Sequence, residues 1–107
     1  MTKLLPSIPP GQILKEEFMD PLELNINQLA KSIDVPPNRI HSILCNTRSI
    51  TADTALRLAK LFGTSARFWL NLQMLYDLEE VEREKGKLIN KIIHPLKQLR
   101  HKLLYAQ

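Results

Sequence analysis

Apolar residues in this chain recur at intervals of three and four, and no apolar-polar alternation lasts more than a few residues, so the pattern predicts helices and no sheet. A first helix is expected over Gln12 to Met19, opened by Pro10 and Gly11, with Ile13, Leu14 and Phe18 on one side and Pro21 at its end. Asn25 is placed to cap a second helix, with Gln28 at capping-box spacing and Ile26, Leu29, Ala30 and Ile33 turned inward. Asp34 and Val35 form a tight connection. Pro36 and Pro37 then open a third helix through Leu44, because proline is tolerated where a helix has no N–H bond to lose. Asn46, which accepts left-handed backbone angles, marks its end. Thr51 caps a fourth helix, in which Ala55, Leu58, Ala59 and Phe62 recur on one side and which Gly63 stops; Thr64 or Ser65 caps a fifth.

The fifth helix breaks the pattern of one apolar stripe. Between Phe68 and Leu78, eight of eleven residues are apolar or aromatic, more than one face of a surface helix holds. A helix apolar nearly all round needs neighbours on two sides. In so short a chain the second side is expected to be another copy, which predicts a two-fold dimer through Phe68, Trp69, Leu72, Leu75 and Tyr76. An acidic patch follows (Asp77, Glu79, Glu80, Glu82, Glu84), and then a basic tail whose Leu88, Ile92, Leu96, Leu99 and Leu103 suggest an amphipathic helix interrupted by Pro95.

Two short helices joined by a tight turn, the second exposing a polar face, form a helix-turn-helix, whose second helix enters the major groove of DNA. At 100° per residue, Ile40, Ile43 and Leu44 cluster as the inward stripe of the third helix. Asn38, Ser42 and Cys45 lie opposite, with Arg39 and His41 on the flanks. Asn38, Arg39 and Ser42 are therefore the expected base readers: Asn pairs twice with adenine, Arg twice with guanine, and Ser serves either way. Pro37 is placed against a thymine methyl. Lys31, Thr47 and Arg48 flank the reading helix and are expected to hold phosphates, as are Asn27 and Gln28 at the start of the second helix.

Charge changes this picture only modestly. The net charge is +4, but residues 1–48 balance to zero and residues 49–86 to −1; the excess lies in residues 87–107, where Lys87, Lys91, Lys97, Arg100 and Lys102 face no acid. The 107 residues suffice for one core, here divided into a domain over 1–84 and a basic extension over 85–107. No stretch has the apolar length of a membrane span and the first ten residues lack a signal peptide's apolar run, so a cytoplasmic protein is expected. The single cysteine, Cys45, cannot form an internal disulfide. His41 and Cys45 stand one helical turn apart without a third orienting group, and His94 with His101 falls short of a metal's ligand count, so neither pair is read as a site. No glycine-rich phosphate loop or acid-base pair is present, so no enzyme, cofactor or metal is predicted.

Three segments carry a resemblance: PPGQILKEEFMDPLELN (9–25), NQLAKSIDVPPNRIHSIL (27–44) and RSITADTALRLAKLFGTSARFWLNLQMLYDLE (48–79). In this order they resemble the HigA-type (VapI-like) antitoxins of bacterial toxin-antitoxin modules, within the lambda-repressor-like helix-turn-helix class. The resemblance covers roughly residues 8–84 and implies an all-α fold of five helices with a dimerising C-terminal helix. It further implies a homodimer that binds an inverted-repeat operator in its own promoter and holds an mRNA-cleaving toxin inactive. Carried over residue by residue, DNA reading falls on Pro36, Pro37, Asn38, Arg39 and Ser42, and the dimer surface on the fifth helix. The chain departs from the family at Asp34 and Asn46, which stand where glycine is usual, and at Thr47, which stands where a basic residue is usual. Two other readings fit the same residues: a stand-alone repressor without a toxin partner, and a protein-interaction module whose helix-turn-helix reads no DNA. The neutral balance of residues 1–48 and the uncharged Thr47 favour the latter.

Overall fold

The computed structural model describes residues 7–96, and among them every regular element is helical. Helix α1 opens at Pro10–Ile13 with proline in its first turn and widens into a π-helical segment, Leu14–Met19, where the Asp20 N–H reaches back five residues to the Lys15 carbonyl at 2.8 Å. The wider turn brings Leu14 and Met19, five residues apart, to the same inner side, and both are buried. The expected stripe of Ile13, Leu14 and Phe18 is therefore rotated: Leu14 stays central, while Ile13 and Phe18 are half-buried.

Helix α2 (Ile26–Ser32) begins at Asn25 with both bonds of the capping box: Gln28 N–H donates to Asn25 Oδ1 at 2.8 Å, and Asn25 N–H donates to Gln28 Oε1 at 2.9 Å. It ends in a paired closure, with Val35 N–H bonded to the Ala30 carbonyl and Asp34 N–H to that of Lys31. The closure puts Asp34 at φ 57°, a left-handed angle. Helix α3 (Pro37–Leu44) ends in the same way, Thr47 N–H to Ser42 and Asn46 N–H to Ile43, with Asn46 at φ 62°. Both residues standing where the family favours glycine thus hold left-handed angles that Asp and Asn bear better than most.

Helix α4 (Ala52–Phe62) is capped by Thr51 and stopped by left-handed Gly63. Ser65 caps α5 (Ala66–Ile92), accepting from the Phe68 N–H at 3.0 Å. Thr64, the other capping candidate, has its hydroxyl turned to Trp69 Nε1, which donates to it at 2.8 Å.

Helix α2 packs on α3 and α4 on α5, while α1 bridges α3 and α5. The core gathers Leu14, Leu29, Ile40, Ile43, Leu58 and Trp69, all essentially without exposure, and Phe18, Phe62 and Phe68 stack around the indole with ring centroids 4.8 to 6.2 Å apart. Gly11 lets α1 lie against the end of α3: a Cβ there would overlap the Ile43 carbonyl oxygen and come within 3.0 Å of Leu44 Cα. No described side-chain N or O is both buried and without a partner.

Helix α5 departs most from expectation. Its 27 residues run unbroken through residue 84, the expected boundary between domain and extension, and take in Leu88 and Ile92, which were expected to begin a separate tail helix. Ile93 turns to extended backbone ahead of Pro95. Leu99, Leu103, His101, Lys97, Arg100 and Lys102 lie outside the described residues.

Candidate nucleic-acid interface

Helix α3 owes its orientation to Ile40 and Ile43, which are anchored in the core while Leu44 packs against it half-buried. Burying one face of an eight-residue helix commits the other face to the outside, and the exposed side carries Pro37, Asn38 and His41, with Arg39 and Ser42 half-buried beside them. The expected readers Asn38, Arg39 and Ser42 are thus brought to one surface. Pro36 precedes them, exposed, as the cap position of the helix.

The flanking positions divide. Asn27, Gln28 and Lys31 are exposed on α2, and Arg48 is exposed on the loop after α3; neither Lys31 nor Arg48 has an ion-pair partner among the described residues. Gln28 spends its oxygen on the capping box, which leaves its amide group as a donor. Thr47 is exposed as well, and its N–H and its hydroxyl both donate to the Ser42 carbonyl, at 2.9 and 3.2 Å.

Arg39 is held. Its Nη1 lies 2.7 Å from Asp53 Oδ2 on α4, and the same oxygen accepts from Arg57 Nε at 3.0 Å. Arg57 continues inward, its Nη1 donating to the carbonyls of Ile33 and Asp34 in the turn between α2 and α3. The bonds from Arg57 and then Arg39 keep the Asp53 carboxyl below the usual carboxylate range. With Arg48 and Ser49 these three residues line a cleft of about 530 Å³ beside α3.

Neither Asp53 nor Arg57 is among the residues that the sequence pattern singles out. Their i, i+4 spacing was a readable signal of a helical ion pair, but the 14-residue reach from Arg39 to Asp53 leaves no local trace. On α5, Gln73 was also missed, and Tyr76, expected at a dimer surface, bonds within the chain. Gln73, buried, accepts the Ile50 N–H at 2.8 Å and so fixes the loop after α3. Tyr76 accepts from Asn46 Nδ2 at 2.6 Å, tying the end of α3 to α5.

The five residues expected at a dimer surface are not alike. Trp69 is corrected to the interior of the single chain, 0 % exposed and ringed by Phe18, Phe62 and Phe68, because α5 turns one face of its first turns into the core. Leu72 packs half-buried against that core, Tyr76 is half-buried, Phe68 lies at its edge, and Leu75 is open at 52 %. Past it, Leu78 and Val81 continue an exposed apolar line. Cys45 Sγ lies 3.5 Å from His41 Nε2, both exposed, and no cluster of three metal-ligating side chains occurs among the described residues. No described helix is long and apolar enough to cross a membrane.

Comparison with known proteins follows the same lines. A helix-turn-helix family model matches residues 15–69. Virulence-associated protein I of Dichelobacter nodosus is 48 % identical over 92 residues, covering 86 % of this chain and 83 % of that protein. Among solved structures, an addiction module antidote protein of the HigA family from Coxiella burnetii is 50 % identical, with a TM-score of 0.81 over 86 % of this chain and all of the other. The Pseudomonas aeruginosa antitoxin HigA, solved with the higBA promoter, is 39 % identical, with a TM-score of 0.81 over 84 % of this chain and 98 % of that one.

Proposed function

The chain belongs to the helix-turn-helix family, in its HigA-type antitoxin branch, and from that premise we propose that it is an antitoxin that represses its own operon by binding operator DNA and neutralises a partner toxin. The observation that carries the DNA-binding half is α3 itself: Ile40 and Ile43 are locked inward, so Asn38, Arg39 and Ser42 stand together on the surface. Those three side chains offer the donors and acceptors that base edges in the major groove require. Lys31, Arg48 and the amides of Asn27 and Gln28 supply phosphate contacts that set the register.

Two copies join through the exposed apolar line of α5, with Leu75, Leu78 and Val81 at its centre, and present two α3 helices to an inverted repeat roughly 34 Å apart. The toxin half rests on the family: the resemblance implies an mRNA-cleaving partner. The chain acts as a regulator by binding, with no catalytic step, and the cytoplasm is its expected place.

Titration of the purified protein onto a duplex from its own promoter, at several salt concentrations and against random duplex, tests the DNA-binding half. Preference for the promoter is expected, with a log-log salt slope near −0.9 per phosphate contact. Equal binding to both duplexes at physiological salt refutes specific reading and favours the interaction module. Affinity capture from the native host tests the other half: a stoichiometric small toxin is expected, and its absence from a DNA-binding protein leaves a stand-alone repressor.

A further inference from the structure

Asp53 sits at the second position of α4, exposed beside α3, and bonds the largest of the expected readers. One oxygen, Oδ2, takes two guanidinium groups at once: Nη1 of Arg39 at 2.7 Å and Nε of Arg57 at 3.0 Å. Arg57 is itself anchored to backbone, through Ile33 at 2.9 Å and Asp34 at 3.0 Å. A continuous line of bonds therefore runs from the turn that precedes α3, through Arg57 and Asp53, to the guanidinium on the flank of α3.

This arrangement has two consequences. An arginine free on a surface samples many rotamers and must give them up on binding; Arg39, with its side chain 26 % exposed, has already been drawn against α4. The bond to Asp53 uses one of its five N–H donors, so the guanidinium keeps others for the paired N7 and O6 acceptors of a guanine. In addition, the carboxylate is 56 % exposed in the cleft shared with Arg48 and Ser49, where it repels a phosphate that approaches Arg39 at random. An ion pair this exposed contributes little to stability, so its place beside a reader is better explained by orientation than by folding.

We propose that Asp53 is a positioning residue for sequence reading: it presents Arg39 in one orientation to a guanine-bearing base pair and opposes sequence-independent use of the same arginine on phosphate. The proposal rests on the DNA-reading function above.

Binding-site selection from a randomised duplex library, with the full chain, gives the wild-type preference at every position, and Arg39→Ala identifies the base pair that Arg39 reads. Asp53→Asn should lower discrimination at that base pair roughly tenfold while affinity for random duplex rises several-fold. Asp53→Glu, which keeps the carboxylate, should restore most of the discrimination. In an Arg39→Ala background Asp53→Asn should change discrimination nowhere, a result that a merely structural role would not produce. Full discrimination in Asp53→Asn overturns the proposal, as does tighter binding to the selected duplex with preference intact, the mark of a latch that holds Arg39 off DNA. Should circular dichroism show Asp53→Asn unfolded, Arg39→Lys takes its place. Its ammonium keeps the charge without the planar fork, and undiminished discrimination there overturns the proposal equally. A wild-type chain that selects no sequence overturns the DNA-reading function itself, a failure distinct from these.

Discussion

Arg39 and Arg48 carry the same charge close together, but they meet DNA under different constraints. Arg39 is bonded to Asp53 beside Asn38 and Ser42, while Arg48 lies exposed on a loop with no ion-pair partner among the described residues. Arg39→Ala should therefore cost about 1–3 kcal/mol on the operator and relax preference at one base pair, whereas Arg48→Ala should weaken all duplexes alike and reduce the salt slope by about one. Competition titrations on operator and random DNA check both, and identical behaviour would erase the division between reader and holder. The lowered pKa of Asp53, caused first by Arg57 and then by Arg39, sets a pH window. A depressed carboxyl gives its contribution above the unfolded aspartate value of about 3.9 and loses it as pH falls through the lower folded value. Because a pair this exposed stabilises little, melting curves of wild type and Asp53→Asn should differ only slightly, by a constant amount from pH 7 to pH 5, and converge below about pH 4. At this scale the sequence was legible wherever the chemistry is local: Asn25 with Gln28, Thr51, and Asp34 with Asn46 act within a few residues of themselves. Arg39 with Asp53, Gln73 with Ile50, and Asn46 with Tyr76 join residues that only the fold brings together.

Helices α2, α3 and α4 could be read from periodicity because each buries one stripe and exposes the rest. Helix α1 was harder, since a π-helical segment shifts the register that a 3.6-residue period assumes and exchanges Ile13 for Met19 in the core. Helix α5, apolar on more than one side between Phe68 and Leu78, buries Trp69 within the single chain, where a contact with a second copy was expected. Its start is the lid of the core, with Trp69 enclosed, and only its later turns present Leu75, Leu78 and Val81 outward. Trp69→Ala therefore tests the core of the single chain. It should lower the stability of the single chain by roughly 3–5 kcal/mol, read by denaturant unfolding, with any loss of dimer following from unfolding. A stable monomer with an intact melt would contradict the placement of Trp69 in the core.

The described residues form an elongated body, with extents of 54 × 26 × 24 Å and a radius of gyration of 17.6 Å, against about 13 Å for a compact chain of about 100 residues. Helix α5 is about 40 Å long at 1.5 Å per residue, and its later part is the projection. Leu78, 53 % exposed where α5 leaves the core, is the sharpest probe of the proposed pairing. Leu78→Glu should yield monomers in sedimentation at micromolar concentration, with the helical fold retained and promoter affinity reduced because two half-sites are no longer engaged together. An undisturbed dimer would move the interface off this line. The central claim is that the outward side of α3 meets the bases of a duplex, and amide and side-chain NMR shifts on titration with the protein's own promoter fragment test it most directly. The account predicts the largest changes at Asn38, Arg39 and Ser42, smaller ones at Lys31 and Arg48, and none along Leu75 to Val81; a silent α3 with changes centred on α5 would contradict it.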